Sequence, residues 1–286
     1  MKLIFCLWVI FFTAAFPGSA PADATRRIIS LAPNITEMLY KLNEGDRLVG
    51  RTEFCTYPPQ AVQIPSIGGY LNLDYEKVLK LQPDLVLQVP NADHRRKLEQ
   101  LGIRVIDIPA ETVEEIRQAI GRIADLLNCR ERGRKVLNGM ADTLAAVSAA
   151  AEKVEGSPAA LLVVGRQPGT LEGLYVAGRN TFLDELWRMA GGRTAFPEVD
   201  QQYFPVSRED LLVTPIEFIL EFHPGWQRSK TDQEKAWRGM NTLPAVKNDN
   251  LFLFTEPMYV IPGPRITQVA LQFSEIIAIN TIGQNQ

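Results

Sequence analysis

Apolar residues fall along this chain in two alternating patterns. Short apolar runs occur at 27–31, 47–51, 85–89, 104–108, 160–165, 174–178, 216–220 and 251–254. They are too short for helices and mostly lack polar alternation, which predicts strands covered on both faces. Between them lie segments that read as helices, some from apolar residues at helical spacing, some as polar helices, and some from their capping or stop residues. These are 34–42, the stretch around Val78, Leu79 and Leu81, 93–101, a segment from Thr112, one from Thr181, one from Ser207, 230–240, and a last one along Ile266, Val269, Ala270, Phe273 and Ile277. Strand–helix alternation of this kind predicts an α/β fold with mostly parallel sheets.

Local signals place the helix ends. Asn34 stands three residues before Glu37, an N-cap arrangement, and Thr112 with Glu115 and Ser207 with Asp210 form capping boxes. Gly191-Gly192 stops a helix, and Pro264 suits a first helical turn.

One region breaks the alternation. Residues 131–155 are rich in Ala, Lys, Glu and Leu, with Val136, Met140, Leu144, Val147 and Ala151 at helical spacing, and strands resume only after Gly156-Ser157-Pro158. A single long helix follows. On either side of it the chain repeats a theme: Glu76, then Pro83-Asp84-Leu85-Val86-Leu87, and Glu209, then Pro215-Ile216-Glu217-Phe218-Ile219-Leu220. The pattern predicts two related α/β lobes, 25–130 and 156–286, joined by the helix 131–155, with a ligand cleft between them.

Composition adds limits rather than a function. The 286 residues are 46% hydrophobic and 22% charged, with a formal net charge of −3 and no basic block, which argues against a nucleic-acid or anionic-membrane partner. Residues 1–24 read as a secretory leader: Lys2, an apolar run from Leu3 to Phe16, and Ala22-Asp23-Ala24 as a small-x-small cleavage site. With no cysteine near that site, an exported chain without a lipid anchor is expected. Cys55 and Cys129 then remain, either paired or as two free buried thiols.

Catalytic signatures are sparse. There is no Gly-Lys dipeptide and hence no Walker P-loop, no G-x-S-x-G elbow, and the two histidines, His94 and His223, sit in opposite halves. An enzyme and a bound metal are not expected. Aromatic residues, by contrast, gather in loops and at strand ends: Phe54, Tyr57, Tyr70, Tyr175, Tyr203, Phe204 and Tyr259. These are the places where α/β sheets bind ligands, and the rings suit a large, partly apolar one.

These residues carry a resemblance. The run from Arg27 to Glu37, Tyr57-Pro58-Pro59, Gly68-Gly69-Tyr70-Leu71-Asn72 with Glu76 and Pro83-Asp84-Leu85, and Val206-Ser207-Arg208-Glu209 are together similar to the periplasmic substrate-binding proteins of ABC importers for cobalamin, haem and siderophores, over nearly the whole exported chain and most of all to the cobalamin-binding members. The resemblance implies two lobes bridged by one helix that limits their motion. It also implies a monomer in the periplasm, a corrinoid ligand with no cofactor, and a permease with its ATPase as partners. Glu76 and Glu209 stand where the family's glutamates pair with permease arginines. The cleft is expected to be lined by Asn34, Phe54, Tyr70, Tyr175, Tyr203, Glu256, Met258 and Tyr259.

There are departures. Tyr203 and Val89 stand where some members press tryptophans on the corrin, and Ala190 and Ser274 where some carry cysteines. Tyr70 occupies the position of an iron-ligating tyrosine in haem-binding relatives, which keeps haem open. A siderophore would call on cations such as Arg51, Arg166 and Arg179.

Overall fold

Apolar runs buried on both faces do become the strands of two sheets. The computed structural model describes residues 27–154, 156–225 and 230–283; the expected leader lies outside them. In chain order the first half holds β1 (Ile28–Ser30), α1 (Pro33–Lys41), β2 (Leu48–Arg51), α2 (Tyr75–Lys80), β3 (Leu85–Gln88), α3 (Ala92–Gln100), β4 (Val105–Asp107) and α4 (Val113–Leu126). The strands form one all-parallel sheet in the order β2-β1-β3-β4.

Helix α5 (Arg130–Ala151) then crosses to the second half. At 1.5 Å per residue it is roughly 33 Å long. The second half holds β5 (Ala159–Gly165), β6 (Tyr175–Ala177), α6 (Phe182–Met189), β7 (Arg193–Thr194), β8 (Tyr203–Pro205), α7 (Arg208–Val213), β9 (Phe218–Phe222), α8 (Lys230–Arg238), α9 (Pro244–Lys247), β10 (Leu251–Phe254) and α10 (Ile266–Gly283). Its sheet runs β10-β9-β5-β6-β8, with β7 also on β5; β6 pairs antiparallel with both β5 and β8, and the other pairs are parallel.

Strand side chains alternate between separate cores. In the first lobe Ile28, Leu85 and Leu87 face one apolar cluster, while Ile29, Val86 and Val105 face another under α2 and α3. In the second, Ala160, Leu162, Phe218, Leu220 and Phe222 join the first cluster, and Leu161, Val163 and Ile219 face a third with Trp237. The first cluster therefore spans both lobes, through Met140, Leu144 and Val147 of α5 and the buried faces of α1, α4, α6 and α10. Gly133 permits the tight α4–α5 crossing, since a β-carbon there would lie 2.5 Å from that of Ala124. A large hinge motion would have to open this shared core, where a lost buried side chain costs about 2–5 kcal/mol.

The structure corrects several local expectations. Asn34 is not an N-cap: α1 starts at Pro33, with Ala32 as N-cap two residues before Asn34 and no side-chain cap. Proline's fixed φ presets the first turn, and Glu37, which would have completed a capping box, is drawn to Arg265 instead. The strand expected at 216–220 lies at Phe218–Phe222, because Ile216 closes a turn onto Thr214 and Glu217 caps the start of β5 through Ala159. Strands β7 and β8 were not foreseen, being too short to carry a pattern. The capping boxes at Thr112 and Ser207 do form. Cys55 and Cys129 are both free and buried, with burial pushing each thiol up.

One buried carboxylate works against the fold at neutral pH. Asp184, in the first turn of α6, has no exposed surface, and neither oxygen has a hydrogen-bond partner. Its nearest cation, Arg188, is 3.9 Å away and mostly in solvent. Burial pushes the carboxyl up to about 6; Arg188 and Arg179 oppose this and Glu185 adds to it. Because the folded value lies above the unfolded one, this group's contribution improves as pH falls from about 6 to about 4. The range corresponds to about 3 kcal/mol. Asp184→Asn is expected to stabilise the protein by up to that amount at pH 7 and by little at pH 4. Urea denaturation of both forms at the two pH values checks this, and a difference that does not vary with pH would refute it.

Candidate functional site

Parallel strands direct their carboxyl ends, and the loops that follow them, toward one edge of each sheet. Those edges face each other across a cavity of about 660 Å3. From the first lobe it is lined by Ala32, Pro33 and Asn34 after β1, Glu53, Phe54 and Thr56 after β2, Tyr70, and Val89 after β3. From the second come Pro224 and Gly225 after β9, and Pro257, Val260, Ile261 and Pro262 after β10.

The walls are mainly apolar, with a few polar groups in fixed places. Asn34 is 3% exposed, and its Nδ2 has no hydrogen-bond partner in the protein. A buried amide donor left open toward a cavity is a candidate ligand contact, since leaving it unmade costs about 1–3 kcal/mol. Phe54 is 62% exposed, a large ring offered to whatever fills the space. Tyr70 rides on the Gly68–Leu73 turn and packs edge-on against His94, with centroids 5.0 Å apart. Burial holds His94 below the usual histidine range, so it is neutral at pH 7.

Of the eight expected cleft residues, the structure brings Asn34, Phe54 and Tyr70 into the cavity and leaves the others off its lining. Tyr175 and Tyr203 stack on each other at 6.4 Å, and Tyr175 Oη donates to the Tyr203 carbonyl. The Tyr203 hydroxyl donates to Glu111, tying the lobes together instead of facing a ligand, and burial followed by that carboxylate pushes the phenol up. Glu256 is exposed just before the Pro257–Val260 turn. Met258 packs against the shared core, and Tyr259 lies between Phe222 and Phe254. The arginines considered for a siderophore are absent from the lining as well. Arg51 is spent on the carbonyls of Ala61, Thr52 and Val62, Arg166 on Glu221, and Arg179 on Pro197.

The lining residues not anticipated are mostly prolines, glycines and small aliphatics. Their one legible signal was position, directly after a strand's carboxyl end. Glu53 and Thr56 gave no other.

Further interlobe bonds frame the cavity. Arg265, just before α10, binds both oxygens of buried Glu37 at 2.9 and 2.5 Å and stacks 3.8 Å from the ring of Tyr57. Burial pushes the Glu37 carboxyl up, and Arg265 offsets only part of this. Elsewhere the Val113 N–H donates to Glu185 at 2.6 Å, and the Phe182 N–H to the Glu111 carbonyl at 2.8 Å. The expected docking glutamates lie away from the cavity. Glu76 and Glu209 are exposed in the first turns of α2 and α7, each followed three residues later by an exposed leucine, Leu79 or Leu212.

Two α/β lobes, one bridging helix and an apolar interlobe cleft at the strand ends define a solute-binding protein that holds its ligand between lobes. Comparison with known proteins agrees: residues 28–257 match the profile of the periplasmic binding protein family, and the chain belongs to that family. It is 30% identical to the vitamin B12-binding protein of Vibrio campbellii over 284 residues, covering 96% of this chain and 98% of that one. The crystal structure of the periplasmic vitamin B12-binding protein of Vibrio cholerae superposes with a TM-score of 0.76 at 26% identity, over 92% of this chain and 99% of that one. A periplasmic heme-binding protein from Roseiflexus shares the fold, with a TM-score of 0.75 at 24% identity, over 88% and 99% of the two chains.

Proposed function

We propose that this protein captures a corrinoid in the interlobe cavity and delivers it to the permease of an ABC importer, without catalysis, after export directed by residues 1–24. The observation that carries the ligand is the chemistry of the cavity: apolar walls, an open buried amide donor on Asn34, and no cation among the described lining residues. A corrin has broad apolar faces and a rim of uncharged amides, which accept from a group such as Asn34. Calorimetric titration with cyanocobalamin is expected to show one site of micromolar or better affinity. No heat at micromolar concentrations would remove the ligand assignment. Asn34→Ala is expected to weaken binding by about tenfold, the cost of one lost hydrogen bond.

Tyr70 favours a second reading, haem, because its phenol lines the cavity and a phenolate ligates ferric iron. Hemin bound that way gives a visible iron–tyrosinate band that Tyr70→Phe abolishes. Docking is assigned to Glu76 and Glu209, whose supporting observation is their matched placement: one exposed acid beside one exposed leucine on each lobe.

A further inference from the structure

Among the described residues lining the cavity, Glu53 is the one that carries a charge. It stands two residues past the end of β2, and its N–H donates to the Gly68 carbonyl at 3.0 Å, which pins it to the turn that presents Tyr70. Its carboxylate rests over Gly69. A β-carbon on Gly69 would lie 2.6 Å from Glu53 Oε1 and 2.5 Å from Asn72 Oδ1, so this glycine supplies room for the acid, with no left-handed backbone to explain it. The carboxylate is exposed to the cleft and forms no ion pair among the described residues.

We infer that Glu53 is the charge-selectivity residue of the cleft, admitting ligands with an uncharged or cationic rim and repelling those with carboxylates. This rests on the corrinoid reading and adds its physical cause. The two ligand chemistries that fit the cavity in size and apolarity differ at the rim. A corrin carries neutral amides around a cobalt centre of positive formal charge, whereas a haem carries two propionates. A propionate placed in this cleft would meet a fixed anion with no cation among the described lining residues; the Arg51 guanidinium, off the lining, reaches only the Glu53 carbonyl, at 3.4 Å, and forms no ion pair with the carboxylate. Like charges brought together in an interface oppose binding and thereby set specificity more than affinity.

The test uses the exported full chain and two probes, cyanocobalamin and hemin, with their dissociation constants measured for wild type, Glu53→Gln and Glu53→Lys. The expected result is that hemin binding tightens by roughly threefold in Glu53→Gln and tenfold or more in Glu53→Lys, as a partly screened charge at a few ångströms allows. The quantity read is the ratio of the two affinities, which should shift toward hemin in both variants, because the corrin's rim amides carry no charge for Glu53 to repel. The hemin gain should shrink in 0.5 M salt, where screening shortens to a few ångströms. Glu131→Lys, the same charge change on the exposed side of α5, serves as the control and should leave hemin binding where it was. Hemin affinity unchanged in both Glu53 variants, or equally raised by Glu131→Lys, would overturn the role of Glu53. Wild type binding hemin and not cyanocobalamin would instead overturn the corrinoid reading, so the two failures are distinct.

Discussion

Glu221→Ala is expected to destabilise the protein by about 3–5 kcal/mol, the usual cost of removing one partner from a buried ion pair. The side chains of Arg166 and Glu221 are 0% and 1% exposed, and the guanidinium grips the carboxylate through Nε at 2.5 Å and Nη2 at 3.0 Å. The Trp237 indole N–H donates to the same carboxylate at 2.9 Å, and His223 Nε2 lies 3.8 Å from it. Alanine would take the Glu221 carboxylate away from a guanidinium in the core of the second lobe and from the Trp237 indole N–H. For a chain of this size the loss corresponds to roughly a 10 °C fall in melting temperature, read by circular dichroism.

A companion variant separates charge burial from packing. Arg166→Met with Glu221→Leu replaces the pair by apolar groups and is expected to recover the part of the loss due to charge burial, while the Trp237 indole and the Thr170 carbonyl still lack their partners. A Glu221→Ala protein within about 1 kcal/mol of wild type would refute the account. The effect should reach the cleft too, since β9 carries Glu221, ends at Phe222, and is followed by His223 and then by Pro224 and Gly225 of the lining. Arg166 Nη1 also holds the Thr170 carbonyl at 2.7 Å, so the 167–172 loop hangs from the same network.

The pH signs of the two buried carboxylates in this lobe are opposite. Burial alone would push the Glu221 carboxyl up, but His223, Arg166 and Trp237 hold it below the usual range. Its contribution is therefore present above about pH 4.5 and lost on acidification, whereas that of Asp184 improves on acidification. What separates them is partners: Glu221 has several donors at hand and Asp184 none.

That difference also marks what sequence could and could not convey. Strands such as β3 and β5 were legible because each alternate residue meets its own apolar core, which leaves an unbroken apolar run. Helix α5 was legible because one stripe, Met140, Leu144 and Val147, is buried for over two turns. Glu221 was hidden for the converse reason: it is a polar residue inside an otherwise apolar strand, satisfied by groups 55 and 16 residues away. Arg265 and Glu37 meet across 228 positions, so Glu37 looked like half of a cap.

The cleft was half legible on the same grounds. Loop aromatics pointed to it, yet a ring's role depends on what its polar tip finds. Tyr70 faces the cavity, whereas Tyr203 reaches Glu111, 92 residues back, and becomes a tie between lobes. Backbone-like lining residues, Pro224, Gly225 and Pro262, carry no side-chain signature at all. They line the site because parallel strands end there.

Reversing Glu76 and Glu209 together to lysine is expected to cut corrinoid uptake by on the order of a hundredfold while leaving ligand affinity unchanged. Neither residue lines the cavity, and both helices that carry them are capped independently, by Asp74 and by Ser207, so the substitutions disturb neither fold nor cleft. An exposed ion pair contributes only about 0.2–1 kcal/mol, and a single neutral substitution would be modest. Reversal does more, because it turns attraction into repulsion at each lobe. On the proposed docking the two contacts would act as one, since the bridging helix and shared core hold them at a fixed separation and one contact would present the other. Single reversals should therefore cost about tenfold each, and less at high salt. Leu79 and Leu212, beside the acids, would retain some contact in every variant. Uptake of labelled cyanocobalamin by cells carrying the variant as their sole copy gives the measurement. Transport at the wild-type rate in the double variant would exclude these helices as the docking surface, while lost transport with lost ligand affinity would point to damage in the cleft.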